Sequence, residues 1–243
     1  MKLINHLKRI EVLDAEMAVR ATESIVKMLQ LMRVAEYERF EFPDKPYGCY
    51  GIASNIASVC YMPVSMDGGE PYAVIYNTKE RWYDSGARDG DMLCSIQSRL
   101  RPIFRRYVRE HPETPRQYAR KVEDLGGKYY RAMADIENDA GADIIRMLIE
   151  MGVRPGENFK MPDVTRPKGH EDDIFKVSYF RGSHTFGSVY SLDGNEYIIG
   201  YSYYTYDEWV SNYGELCGAD SAAALCGRVA KAYRKYLKAK KSV

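Results

Sequence analysis

The sequence predicts an α+β fold made of two tandem copies of one module. Each copy reads as a helix, a three-stranded antiparallel sheet and a second helix. Two observations carry this prediction, an internal repeat and a switch of apolar period within each copy. Ile25–Asp44 aligns with Ile144–Asp163 at nine of 20 positions, where chance gives about one. Further blocks follow in the same order. Ser65-Met66-Asp67-Gly68 matches Ser191-Leu192-Asp193-Gly194, Thr78–Trp82 matches Thr205–Trp209, and Arg99–Val108 matches Arg228–Leu237. The copies are assigned to residues 1–113 and 114–243, with a pseudo-two-fold axis between them as the expected arrangement.

Each copy opens with a helix. Ile25, Met28, Leu29 and Met32 fall at i, i+3, i+4 and i+7, and Ile144, Met147, Leu148 and Met151 repeat the pattern. In the first copy the apolar face extends back through Met17, Ile10, Leu7 and Leu3. In the second, Gly126-Gly127 predicts a break into two helices. Both helices run out at a proline-marked segment, Pro43-Asp44 or Pro162-Asp163. Strands are predicted at 47–53, 56–65 and 71–78, then at 174–181, 186–192 and 196–205. Asp67-Gly68 and Asp193-Gly194 stand between the last two strands of each set, a tight-hairpin signal. A closing helix follows, with Leu100, Ile103, Phe104, Tyr107 and Val108 on one face, and Val229, Ala232, Tyr233, Tyr236 and Leu237 on the other copy's. Pro102 predicts a kink or restart in the first of these. His111–Pro115 reads as the joint between copies.

Composition narrows the function classes. Hydrophobic residues make up 45% and charged ones 28%, with a net charge of +1. That suits a globular chain with a core and argues against wholesale disorder and against a strongly basic or acidic protein overall, while leaving local patches open. The first residues lack the apolar run of a secretory signal. Five cysteines without a C-x-x-C pair suggest free thiols in a reducing, cytoplasmic setting. No membrane association is expected.

No specific catalytic signature appears. The four histidines (His6, His111, His170 and His184) lack counterparts across the copies, and no H-E-x-x-H, P-loop, G-x-S-x-G or G-x-G-x-x-G motif is present. Cys60 and His184 form a nucleophile pair only if the fold joins them. The run His170–Asp173 reads as a solvated loop. No cofactor, metal or catalytic residue is assigned.

Tyrosine stands out, with 21 residues against seven phenylalanines. In the stretch 196–206, alternation places Tyr197, Tyr201 and Tyr203 on one face and Tyr204 and Tyr206 on the other. Such rings anchor protein partners or stack bases, and they also serve cross-strand packing. The closing helices are basic. Arg99, Arg105 and Arg106 lie in the first, and Arg228, Arg234, Lys235 and Lys238 in the second, where no acid follows Asp220. These suit an acidic protein face or a phosphate backbone, or a solvated helix end. The sequence therefore suggests a non-enzymatic adaptor or inhibitor. It would engage a protein through the tyrosine face or a groove between copies, as a monomer or small homo-oligomer. The alternatives are nucleic-acid binding by the paired basic helices and an enzyme with a site between the copies.

Overall fold

The computed structural model describes residues 3–43, 56–64, 72–78, 82–84, 90–161, 176–182, 188–202 and 214–241. Its elements are α1 (His6–Leu31), β1 (Phe40–Glu41), β2 (Ile56–Pro63), β3 (Tyr72–Thr78), β4 (Trp82–Asp84), α2 (Gly90–Glu110) and α3 (Arg116–Lys121). There follow α4 (Leu125–Glu150), β5 (Phe159–Lys160), β6 (Lys176–Arg181), β7 (Tyr190–Leu192), β8 (Asn195–Ser202), β9 (Gly214–Glu215) and α5 (Ala219–Lys241). The class is α+β with two antiparallel sheets. Two compact units divide the chain, Glu11–Ala132 on one hand and Met1–Ile10 with Met133–Val243 on the other. Below they are the 11–132 unit and the 133–243 unit, the latter including residues 1–10.

In the 11–132 unit the strand order is β1-β2-β3-β4. β2 and β3 pair antiparallel from Ile56↔Thr78 to Pro63↔Tyr72, and bury Val59, Tyr61, Val74 and Tyr76. Helix α2 starts at Gly90, well before the predicted apolar face, and continues through Pro102 without a restart. Leu93, Ile96, Leu100 and Phe104 on it are all buried. The early start means that Cys94 lies inside the helix, as does Cys226 in α5.

The 133–243 unit has the order β5-β6-β8-β7, with β9 also on β8. Its core joins Ile144, Met147 and Leu148 of α4, Val177 and Tyr179 of β6, Ile199 of β8, and Leu225, Val229 and Tyr233 of α5. One face of the sheet therefore lies against helices. Close packing shows at Gly141, where an added Cβ would stand 1.9 Å from the Tyr190 ring. The Asp193-Gly194 hairpin forms as predicted. Leu192 faces Asn195, and the two turn residues have φ of 51° and 76°, the signs a type I′ turn requires. Asp67-Gly68 and the predicted strand at 47–53 lie outside the described residues.

Two other expectations are corrected. The sheets exceed three strands, because β1, β4, β5 and β9 add edges of two or three residues. Such edges are too short to show an alternating pattern. Gly126-Gly127 do not break a helix. They sit in the first turn of α4, where Asp124 Oδ1 accepts from Gly127 N–H at 3.1 Å, and the break falls at 122–124. His111–Pro115 forms a hydrogen-bonded turn, with Thr114 N–H on the His111 carbonyl at 3.0 Å.

The segments around and after α1 and α4 share their hydrogen bonds. Val34 N–H donates to Leu29 O, and Val153 N–H to Leu148 O, each at 3.0 Å. Tyr37 N–H meets Tyr61 O at 2.9 Å, and Gly156 N–H meets Tyr179 O at 2.8 Å. The Tyr61 hydroxyl returns to Val34 O at 3.0 Å, and that of Tyr179 to Val153 O at 2.9 Å. Glu38 and Glu157 accept from Ala35 N–H and Arg154 N–H. At the starts of the same helices, Asn5 caps Lys8 N–H at 3.2 Å as Asp124 caps Gly127.

Candidate functional site

Helix α5 has one buried apolar face and one exposed basic face. Ala222, Leu225, Cys226, Val229, Ala230 and Tyr233 are buried against the core of the 133–243 unit. Arg228, Lys231, Arg234, Lys235, Lys238 and Lys241 are exposed. At 100° per residue these six cations occupy an arc of about 140°, opposite the apolar stripe. Lys240 lies 5.9 Å over the Tyr236 ring. Lys231, Arg234 and Lys241 have no ion-pair partner among the described residues. The only acid in the helix is Asp220, in its first turn. The exposed half of α5 is therefore basic, and the carbonyl end of the helix dipole partly offsets that positive charge.

The cations of α2 are differently employed. Arg99 donates to Ile56 O at 2.5 Å and lies 4.2 Å over the Phe42 ring. Arg105 donates to the carbonyls of Ala119 and Val122 at 3.2 and 3.3 Å. Arg101 pairs with Asp124 at 3.1 Å. Arg106 remains exposed. Two of the three cations predicted as surface contacts on this helix thus hold α3 and β2 in place. Arg106 and Arg109 are exposed on α2, against six exposed cations on one face of α5.

The tyrosine face also changes role. Tyr197 is 5% exposed and meets Tyr179 edge-on, with ring centroids 5.8 Å apart. Tyr201 is half-buried and packs against the same core. These two rings serve the core. Tyr203, Tyr204 and Tyr206 lie outside the described residues, as do His170 and His184. Cys60 is buried on β2, where desolvation pushes its thiol up. His111 stacks on Tyr107 at 3.9 Å. No described helix is long and apolar enough to cross a membrane.

The 11–132 unit holds an open cavity of about 410 Å³ beside α1 and α3. Arg20, Lys27 and Lys121 line it together with Glu23 and Glu123, and Arg20 pairs with Glu123 at 2.7 Å. Mixed signs give it no single-sign field to select a ligand.

Comparison with protein-family models, with curated proteins and with solved structures gives no significant match to this chain. Its surface must be interpreted by its own chemistry. The sequence had marked Arg228, Arg234, Lys235 and Lys238 as contacts. It had not separated them from Arg99 and Arg105, because in both helices the acids stand outside the run of cations, Asp91 and Glu110 in α2 and Asp220 in α5.

Proposed function

We propose that this chain is a non-enzymatic binding protein that holds an acidic protein surface on the basic face of α5. The observation behind this reading is the run of six exposed cations on one face, with no acid after Asp220. A protein partner is favoured over nucleic acid by the charge balance. Dedicated nucleic-acid binders tend to a domain pI above 9, and this chain has a net charge of +1 and a pI near 7.6. Nucleic-acid binding is the second reading, favoured by the continuous row of cations.

The same proposal includes an internal duplication. The matched hydrogen bonds after α1 and α4, the matched caps at Asn5 and Asp124, and the repeated sequence blocks all support two diverged copies. Divergence then assigns binding to one copy. Arg99, Arg101 and Arg105 of α2 went to internal bonds, and the cations of α5 are exposed.

The test is fluorescence anisotropy with a labelled glutamate-rich peptide and with labelled single- and double-stranded DNA and RNA. Wild type is compared with the triple variant Lys231→Glu, Arg234→Glu, Lys241→Glu. The expected result is peptide binding that the variant loses, and weaker nucleic-acid binding at physiological salt. Tighter nucleic-acid binding with a steep salt dependence replaces the first reading by the second. If neither ligand binds at low salt, the face is solvated surface and both readings fall.

A further inference from the structure

Three side chains from three helices meet in the 133–243 unit. They are His6 at the start of α1, Asp143 in α4 and Cys226 in α5. An imidazole nitrogen, a carboxylate oxygen and the thiol sulfur all lie within 4.8 Å of one another. The residues are 1%, 8% and 3% exposed. His6 Nε2 is 3.0 Å from Asp143 Oδ2, and Arg146 holds Asp143 Oδ1 at 2.7 Å. Arg9 donates to His6 Nδ1 at 3.2 Å. Nδ1 is then an acceptor, so the network places the ring proton on Nε2, which donates to Asp143.

The trio is not a nucleophilic relay. A relay puts the imidazole between thiol and carboxylate, one nitrogen to each. Here the nitrogens face a carboxylate and a guanidinium. The Cys226 thiol makes no hydrogen bond to any described residue. Burial, with Asp143 beside it, pushes the thiol up to about 12, far from a thiolate nucleophile.

Nor does the fold demand these residue types. His6 and Leu125 each open a helix, and Asp143 and Ser24 lie at the same offset of 119 residues. In the 11–132 unit, Leu125, Ser24 and Gln97 occupy the corresponding place. Gln97 Nε2 donates to Ser24 Oγ at 3.1 Å, and Leu125 N–H donates to Gln97 Oε1 at 3.2 Å. Neutral hydrogen bonds suffice there. The 133–243 unit instead gathers nitrogen, oxygen and sulfur donors, the three types that zinc takes.

We propose that His6, Asp143 and Cys226 bind one zinc-class divalent ion. Zinc sits about 2.0–2.2 Å from nitrogen and oxygen and about 2.3 Å from sulfur, so tetrahedral donors stand roughly 3.3–3.6 Å apart. From the 4.8 Å that bounds the donor separations, the trio needs to close by roughly 1.2–1.5 Å at most to meet that geometry. Binding releases the Cys226 proton to solvent and moves the imidazole proton from Nε2 to Nδ1, so Arg9 must let go of Nδ1. A thiolate, a carboxylate and a dication sum to zero charge, which suits a buried site. The fourth coordination position is left to solvent. The ion ties the start of α1 to α4 and α5.

The test uses the full chain, stripped with chelator and titrated with Zn²⁺, and with Co²⁺ as a spectroscopic probe. The expected result is one ion per chain, with a thiolate-to-cobalt charge-transfer band and a raised melting temperature. Cys226→Ala abolishes the band, and Asp143→Asn weakens Zn²⁺ binding by more than about tenfold. Arg9→Ala tightens it, because Nδ1 no longer has to shed a donor. Cys217→Ser, which removes an exposed thiol, leaves the band intact. If Asp143→Asn does not fold, Cys226→Ala and Arg9→Ala decide the matter. Absence of stoichiometric binding, or a band that survives in Cys226→Ala, overturns the site.

Discussion

Asp124 shows how much one side chain can settle. It caps α4 through Gly127 N–H, accepts from the Ser98 hydroxyl, and pairs with Arg101. Burial works to raise its carboxyl, but the Ser98 and Gly127 hydrogen bonds and Arg101 outweigh it and hold the group below the usual range. A depressed carboxyl stabilises the fold above the unfolded value near 4, and that contribution is lost as pH falls through the lower folded value. Asp124→Ala is expected to cost about 1 kcal/mol at pH 7, the usual worth of a cap. Its gap from wild type should shrink below about pH 4. Asp124→Asn keeps the cap without the charge, so most of the stability should return and the pH dependence should not. Denaturant melts at several pH values measure this, and a gap constant down to pH 2 refutes the account. The cap was hidden in the sequence by its own neighbours. Gly126-Gly127 read as a helix breaker, because glycine lowers helix propensity anywhere in a helix. Gly126 is there because an added Cβ would stand 2.6 Å from Ser98 Oγ. That contact bridges 28 residues, and no local window contains it.

Among the elements, the ends of α1 and α4 make a natural experiment. Both helices close with the same hydrogen bonds, and both chains then pass through left-handed backbone. In α4 the positions are glycines, Gly152 at φ 85° and Gly156 at φ 81°. In α1 they are Arg33 at 64° and Tyr37 at 63°. A side chain in this region costs roughly 1–2 kcal/mol, and glycine avoids it at helix ends. Arg33 recovers little from Glu113, since that pair is solvent-exposed. Arg33→Gly should therefore stabilise the protein by up to about 1 kcal/mol, and Gly152→Arg should destabilise it by a similar amount. Thermal melts decide it, and an Arg33→Gly variant less stable than wild type would count against the shared-terminus account. At this scale the sequence was legible where elements are long or their turns chemically distinctive. The faces of α1 and α4 and the Asp193-Gly194 hairpin are of that kind. It was not legible at β1, β4, β5 and β9, whose partners lie across the sheet, or at the early starts of α2 and α5. The candidate site was half legible. The cations of α5 could be listed from sequence, but not the fact that Arg99 and Arg105 spend their charge on backbone carbonyls.

The whole molecule divides differently from its matched sequence blocks. The sequence blocks place a seam near residue 113, whereas the compact units are Glu11–Ala132 and Met1–Ile10 with Met133–Val243. Contacts within each unit explain the difference. In the 11–132 unit, the start of α4 is held by Gln97 on Leu125 N–H, by Ser98 on Gly126 N–H, and by the Tyr129 hydroxyl on Asp14 at 2.6 Å. In the other unit, His6 is held by Asp143, and Arg9 by Asp139 at 2.7 Å. A fragment ending at residue 113 loses Leu125 and Tyr129, which are buried in the intact unit. It also leaves Gln97, 0% exposed in the fold, without its Leu125 and Glu123 partners. An orphaned buried amide costs about 1–3 kcal/mol, and losing the apolar side chains adds to that. These losses are a large part of the stability of a domain this size. The fragment 11–132 keeps every one of these contacts. It should melt cooperatively with a structured near-UV spectrum, and 1–113 should show a broad transition or none. Equal cooperativity in the two fragments would mean that the start of α4 adds nothing essential, and that the repeat seam is also the folding boundary.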